Sequence, residues 1–235
     1  MCLVALIGLS GFLLRAENRS SSLARARWLS RTCERALRAL KVRLVVTGTP
    51  PEGVMLTPNH MSYLDVLVLA ALSPTTFVAK AEVARWPIFG WFATAAGTLF
   101  IQREKKSDLV RVGERLAPVL AERVNLAVFL EGTSSDGKGV RTFRPGLLQP
   151  IVQLQATAVP VAINYRVPPP REPTLDIAWW GNMPLIPHLV GMLGLPWIEA
   201  RVHFGEACGP AEERKSLAAA LQTAVEDQLA GLSRT

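Results

Sequence analysis

Proton-transfer chemistry near neutral pH points first to histidine, and the chain has three: His60, His188 and His203. His60 stands in the segment Pro58-Asn59-His60-Met61-Ser62-Tyr63-Leu64-Asp65. A short apolar strand ends at Pro58 and an apolar helix begins near Leu64, so His60 falls in the turn and Asp65 in the first helical turn. A carboxylate placed there can fold back to the ring. By accepting one ring N–H it fixes the tautomer and leaves the other nitrogen free as a base toward a hydroxyl proton. The ordinary imidazole pKa of about 6.5 suits that task. Taken alone, a lone histidine followed by an aspartate is more often a structural pair. His188 and His203 read as structural or surface residues.

Two further segments end apolar strands in polar groups. Gly97-Thr98-Leu99-Phe100-Ile101-Gln102-Arg103 opens on a glycine and closes on an arginine, whose paired N–H groups suit a phosphate or carboxylate. Phe129-Leu130-Glu131-Gly132-Thr133-Ser134-Ser135-Asp136-Gly137 runs from an apolar strand into a turn. Its glutamate is an acceptor, and its Gly132 and Thr133 N–H groups suit an anion. Alone, each segment is no more than a strand end and a turn.

In register, they resemble the phosphate acyltransferase motifs of the 1-acylglycerol-3-phosphate acyltransferase family. That family shows His-x4-Asp, then Gly-x-x-Phe-Ile-x-Arg, then Phe-Pro-Glu-Gly-Thr-Arg, then a short apolar segment with proline. Here these are His60 to Asp65, Gly97 to Arg103, Phe129 to Ser134, and Val159-Pro160-Val161, across about residues 55–165. Lys80-Ala81-Glu82-Val83 with Pro87 and Gly90, and Phe143-Arg144-Pro145-Gly146, are similar to the bacterial branch. The resemblance implies an O-acyltransferase that moves a fatty acyl chain from acyl carrier protein or coenzyme A to a lysolipid hydroxyl. In it His60 is the base, Asp65 its partner, and no acyl-enzyme forms. It further implies that Lys80, Gly97, Phe100, Arg103, Glu131, Gly132 and Thr133 bind substrate, and that no metal or cofactor is needed beyond the donor thioester. Two positions depart from the family: Leu130 replaces proline, and Ser134 replaces the arginine that helps hold the acceptor's phosphate. Losing a paired arginine contact weakens phosphate binding. The run from Glu131 to Gly137, and the region from Trp180 through His188, also resemble the lyso-ornithine lipid O-acyltransferases, whose acceptor has no phosphate. The expected acceptor is 1-acylglycerol-3-phosphate, with lyso-ornithine lipid as the alternative.

These residues need an α/β frame. The spacing predicts strands over Val42–Thr47, Val54–Thr57, Thr76–Ala79, Thr98–Gln102, Leu126–Leu130, Ala158–Asn164, Leu175–Trp179 and Ala200–Phe204. It predicts helices over Leu64–Leu72, Ile88–Ala96, Leu109–Glu122, Leu147–Leu154, Ile186–Leu193 and Ser216–Ala230. Such alternation describes a central mixed sheet flanked by helices. Pro168–Pro173 reads as a loop.

The 235 residues are 49% hydrophobic and carry a net charge of +7. Residues 1–43 hold nine arginines and lysines against two glutamates, which is the whole excess. An apolar start with a basic helix behind it points to an anionic surface. We therefore divide the chain into membrane-associated N-terminal helices over 1–43 and an acyltransferase domain over 44–235. Leu29, Cys33, Leu37 and Leu40 make an apolar stripe beside the basic stripe of Arg31, Arg35 and Arg38, as in a helix lying in a membrane interface. A helix packed on the protein body is the alternative. Residues 1–14 carry their side-chain charge after the apolar run, unlike a secretory signal, and the arginines favour the cytoplasmic face. No stretch has the roughly 18 apolar residues of a spanning helix. No nucleic-acid motif is present, and no nucleic-acid partner is expected. Cys2, Cys33 and Cys208 form neither a disulfide framework nor a metal pattern. The tryptophans suit an acyl pocket, a membrane interface or a core. A serine hydrolase lacks its Gly-x-Ser-x-Gly elbow here. A non-catalytic membrane-binding protein is the rival of a different class, and the intact His60 and Asp65 count against it.

Overall fold

The computed structural model describes residues 21–86, 89–102 and 106–234. The apolar segment 1–14 and Arg103 lie outside the described residues. Strands β1 (Val42–Thr47), β2 (Met55–Pro58), β3 (Thr75–Lys80), β4 (Leu99–Ile101), β5 (Asn125–Ala127), β6 (Ala158–Arg166) and β7 (Ile198–Phe204) form one sheet. Its order is β1-β7-β6-β2-β5-β3-β4. β2 to β6 run parallel, and β7 pairs antiparallel with β6 and parallel with β1. The expected mixed sheet is what forms.

Alternation along the strands sends successive side chains to two helical layers. Leu56, Ala127, Val159, Val161 and Ile163 face one core with α1 (Ser22–Ala39), α2 (Leu64–Leu72) and α7 (Leu185–Leu193). Met55, Leu126, Ala158 and Ala162 face the other, with α4 (Lys106–Ala121), α5 (Gln149–Gln153) and α8 (Arg214–Arg234). Two short helices, α3 (Phe89–Ala95) and α6 (Pro173–Asp176), complete the chain.

The helix predicted near the start exists, but its apolar stripe faces protein. Leu29, Cys33, Leu37 and Leu40 are buried in the first core, so α1 uses that face on the body and keeps Arg27, Arg31, Arg35 and Arg38 outward. Its start is capped by Ser21, whose hydroxyl accepts the Ala24 N–H and donates to Glu122 at 2.8 Å. Among the described residues no helix is long and apolar enough to cross a membrane.

The predicted strand Leu175–Trp179 is not formed. Pro173 starts α6 instead, and Asp176 accepts the Glu172 N–H at 2.8 Å, closing a helical turn. The Trp179 N–H goes to the Met61 carbonyl at 2.8 Å rather than to a neighbouring strand.

Candidate active site

The parallel strands end along one edge, where α/β sheets bind ligands. Leu56 lies opposite Ala127 and Ala127 opposite Phe77, so Asn59, Leu130 and Lys80 come level three residues further on. Lys80 pairs with Ile101. One step beyond, His60, Glu131 and Gln102 are level. Register alone therefore gathers the three segments singled out from the sequence.

The turn that carries His60 is held from several sides. Asn59, buried, continues the β2–β6 ladder with its side chain: its amide donates to the Ile163 carbonyl at 3.0 Å, and its oxygen accepts the Ile163 N–H at 2.7 Å. The His60 N–H donates to Glu131 Oε1 at 2.8 Å, and the His60 carbonyl accepts the Ser135 N–H at 2.9 Å. The Phe129 ring stacks on the imidazole with centroids 3.8 Å apart.

Asp65 then reaches the ring. His60 Nδ1 lies 2.9 Å from Asp65 Oδ2, with the imidazole 20% exposed and the carboxylate fully buried. The same oxygen accepts the Met61 and Ser62 N–H groups at 2.8 and 2.9 Å. Oδ1 accepts the Tyr165 hydroxyl at 2.7 Å. A buried carboxylate needs such donors to stay charged. With these on one side, the acceptor face toward the ring directs the imidazole proton to Nδ1 and leaves Nε2 as the basic nitrogen. Burial, and next the Asp65 charge, push the Tyr165 phenol well above its usual range, so it remains a neutral donor.

Glu131 turns both oxygens to the main chain, Oε1 to His60 and Oε2 to the Arg141 N–H at 3.2 Å. Through these bonds Glu131, read from the sequence as a substrate-binding residue, also positions the His60 turn. Burial raises its pKa to about 7, against the lowering by those two N–H groups. Gly132 adopts φ 82° and Gly97 φ 82°, left-handed turns that suit glycine. Thr133 is exposed, Phe100 is half-buried, and Lys80 is exposed at the end of β3. The departing residue Ser134 is buried, and its hydroxyl donates to the Trp179 carbonyl. It faces the fold. Tyr63, next to the site, contacts His188: its hydroxyl is 3.0 Å from Nδ1.

Asn59, Ser135 and Tyr165 also carry the geometry, and sequence reasoning assigned them no role. A polar residue directly before His60 in a strand-ending turn is a usable signal for Asn59. Tyr165 had none, because its partner lies 100 residues away.

The Acyltransferase family model matches residues 41–164. A lyso-ornithine lipid O-acyltransferase of Pseudomonas aeruginosa is 39% identical over 170 residues, covering 71% of this chain and 62% of its own. A protein of the same name from Rhizobium meliloti is 32% identical over 229 residues, covering 89% of this chain and 78% of its own. The crystal structure of the 1-acyl-sn-glycerophosphate (LPA) acyltransferase from Thermotoga maritima superposes with a TM-score of 0.69 at 19% identity, over 98% of this chain and 88% of that one. That last likeness is one of fold.

Proposed function

This chain belongs to the Acyltransferase family, and from that premise we propose that it transfers a fatty acyl group from a thioester donor to the hydroxyl of a lysolipid. The observation that carries the reading is the 2.9 Å contact between His60 Nδ1 and a fully buried Asp65. In the proposed step His60 Nε2 takes the acceptor's hydroxyl proton as the oxygen attacks the thioester carbon. The C–O bond forms, the C–S bond breaks, and the proton passes to the departing thiolate. General-base help of this kind is worth roughly 10²–10⁴ in rate. Glu131, Asn59 and Ser135 keep the ring in place, so little reorganisation is left to the reaction.

Lys80, Phe100 and Thr133 are proposed to line the acceptor and donor groups along the strand-end edge, and Arg103, by its place in the sequence motif, to bind the acceptor. The donor is acyl carrier protein or coenzyme A, and the protein is proposed to work on the cytoplasmic face of the membrane. For the acceptor, one observation favours lyso-ornithine lipid over 1-acylglycerol-3-phosphate. Ser134 stands where the phosphate-binding arginine would be, and its hydroxyl is engaged by Trp179. The relatives from Pseudomonas and Rhizobium bear the corresponding name.

The test offers the full chain, in liposomes, a labelled acyl donor with either lysolipid in parallel. Product from lyso-ornithine lipid, lost in His60→Ala, supports both the chemistry and the acceptor. Product only from lysophosphatidate keeps the chemistry and overturns the acceptor. No product from either, with both donors, overturns the reading.

A further inference from the structure

An α-helix on a protein surface normally turns a polar face to water, and one that is apolar all round belongs inside a core or in lipid. α7 breaks this pattern. Its inner stripe meets the body: Leu189 and Met192 pack on the first core, and His188 lies against Tyr63. Its outer stripe is Ile186, Val190 and Leu193, exposed by 64%, 62% and 54%. Trp180 and Trp197, both exposed, stand before and after the helix. From residue 177 to residue 198 there is no Asp, Glu, Lys or Arg.

The other helix of this layer says what covers the stripe. α1 shares the same layer over the sheet and turns Arg27, Arg31, Arg35 and Arg38 to solvent, with Glu34 their one acidic neighbour on the helix. A basic helix face and an uncharged apolar stripe flanked by tryptophans, both on one helical layer, match a leaflet with anionic headgroups above acyl chains. The layer is also tied to the chemistry. Tyr63, which holds α7 through His188 Nδ1 and packs on Trp179, is two residues before Asp65. The Trp179 main chain is bonded to Met61, next to His60.

We propose that α7 is a second membrane-docking element, whose outer stripe of Ile186, Val190 and Leu193 enters the acyl boundary of an anionic leaflet while α1's arginines rest on its headgroups. This rests on the lysolipid reading above and goes beyond it by naming the docking face, which is distinct from the N-terminal apolar segment. It sets the His60 edge beside the leaflet that holds the acceptor. Insertion is shallow, since the helix lies in the interface plane and spans nothing.

The test places an environment-sensitive fluorophore on Val190→Cys in the full chain, with Cys2→Ser and Cys208→Ser; Cys33 is buried and stays. Phosphatidylglycerol–phosphatidylcholine vesicles with nitroxide on the acyl chains should blue-shift and quench the label and shield it from iodide. A label that remains wet while the protein sediments with vesicles overturns the proposal. So does a label already dry without lipid, which would mean that protein already covers the face. A second measurement uses Ile186→Gln with Leu193→Gln. Transfer to lyso-ornithine lipid or lysophosphatidate in vesicles should fall on the order of tenfold or more, with transfer to the same acceptor in detergent micelles unchanged. Equal rates on vesicles would overturn the docking face. Absence of transfer by the unaltered chain in vesicles and micelles alike would overturn the acyl-transfer reading and leave the fluorescence result standing.

Discussion

Tyr165→Phe removes one oxygen from the protein and tests the whole arrangement behind His60. In the structure the Tyr165 hydroxyl is the donor to Asp65 Oδ1, at 2.7 Å, while Oδ2 is served by His60 Nδ1 and two main-chain N–H groups. Asp65 is fully buried and Tyr165 is 2% exposed, so water has little access to replace the lost bond. A hydrogen bond to a charged buried group is worth about 1.5–3 kcal/mol, and leaving the acceptor unpaired costs at the upper end. For a chain of this size each kcal/mol moves Tm by about 2–4 °C, so the variant should melt about 5–10 °C lower. A second effect separates this bond from packing. Without the tyrosine, Asp65 loses its donor on the side away from the ring and holds the imidazole less firmly, so kcat should fall on the order of tenfold with KM little changed. The assay is labelled acyl transfer across a range of acceptor concentrations, beside thermal melts of both proteins. A lower Tm with an unchanged kcat would mean that Tyr165 only packs. No change in either would mean that the bond to Asp65 contributes nothing, and the account of the dyad would fall.

Three other outcomes follow from the same geometry. Asp65→Asn should retain its circular dichroism spectrum and lose about 10²–10⁴ in kcat, measured by acyl transfer at saturating acceptor; near-normal turnover would remove Asp65 from the mechanism. Asn59→Ala strips two hydrogen bonds from the buried Ile163 main chain, and should lower unfolding free energy by about 2–4 kcal/mol in a denaturant titration. Glu131 has its folded pKa raised to about 7 from an ordinary 4.5, so the native state holds the extra proton between those values. Stability therefore declines as pH rises through that window and levels off above it, by roughly 3 kcal/mol. Glu131→Gln should flatten this slope in melts taken across the window, and a slope equal to the wild type's would assign it to other groups.

What the sequence revealed of the site is what lies close along the chain. His60 and Asp65 are five residues apart across a strand-to-helix turn, and that short arc already sets their meeting. The edge they share with Lys80 and Glu131 follows from strand alternation and parallel pairing. The supports of the dyad were hidden because they are distant. Asn59 pairs with Ile163, and Asp65 with Tyr165, only once β6 lies beside β2. Glu131 was seen as a polar strand end, but which way its carboxylate turns depends on the His60 N–H opposite it. Periodicity found α1 without showing that Leu29 and Cys33 meet α2 and the sheet rather than lipid. The short apolar run Leu175–Trp179 fitted a strand, and Pro173 with Asp176 overrode it.

The bonds that lock the His60 turn join positions 71, 100 and 104 residues apart. On the ribosome, where synthesis runs at about 5–20 residues per second, roughly 5–20 s separate Asp65 from Tyr165. During that interval the nascent chain holds both members of the dyad without the strand that aligns them. A chain stalled before residue 163 lacks the partners of Asn59 and Asp65 even though every motif up to the Glu131 turn has been made. α7 is translated later still, so its lipid-seeking face is exposed only after the last partner of Asp65 has been supplied. The order of translation keeps the α7 face in particular from reaching a membrane before the means of assembling the centre has been made.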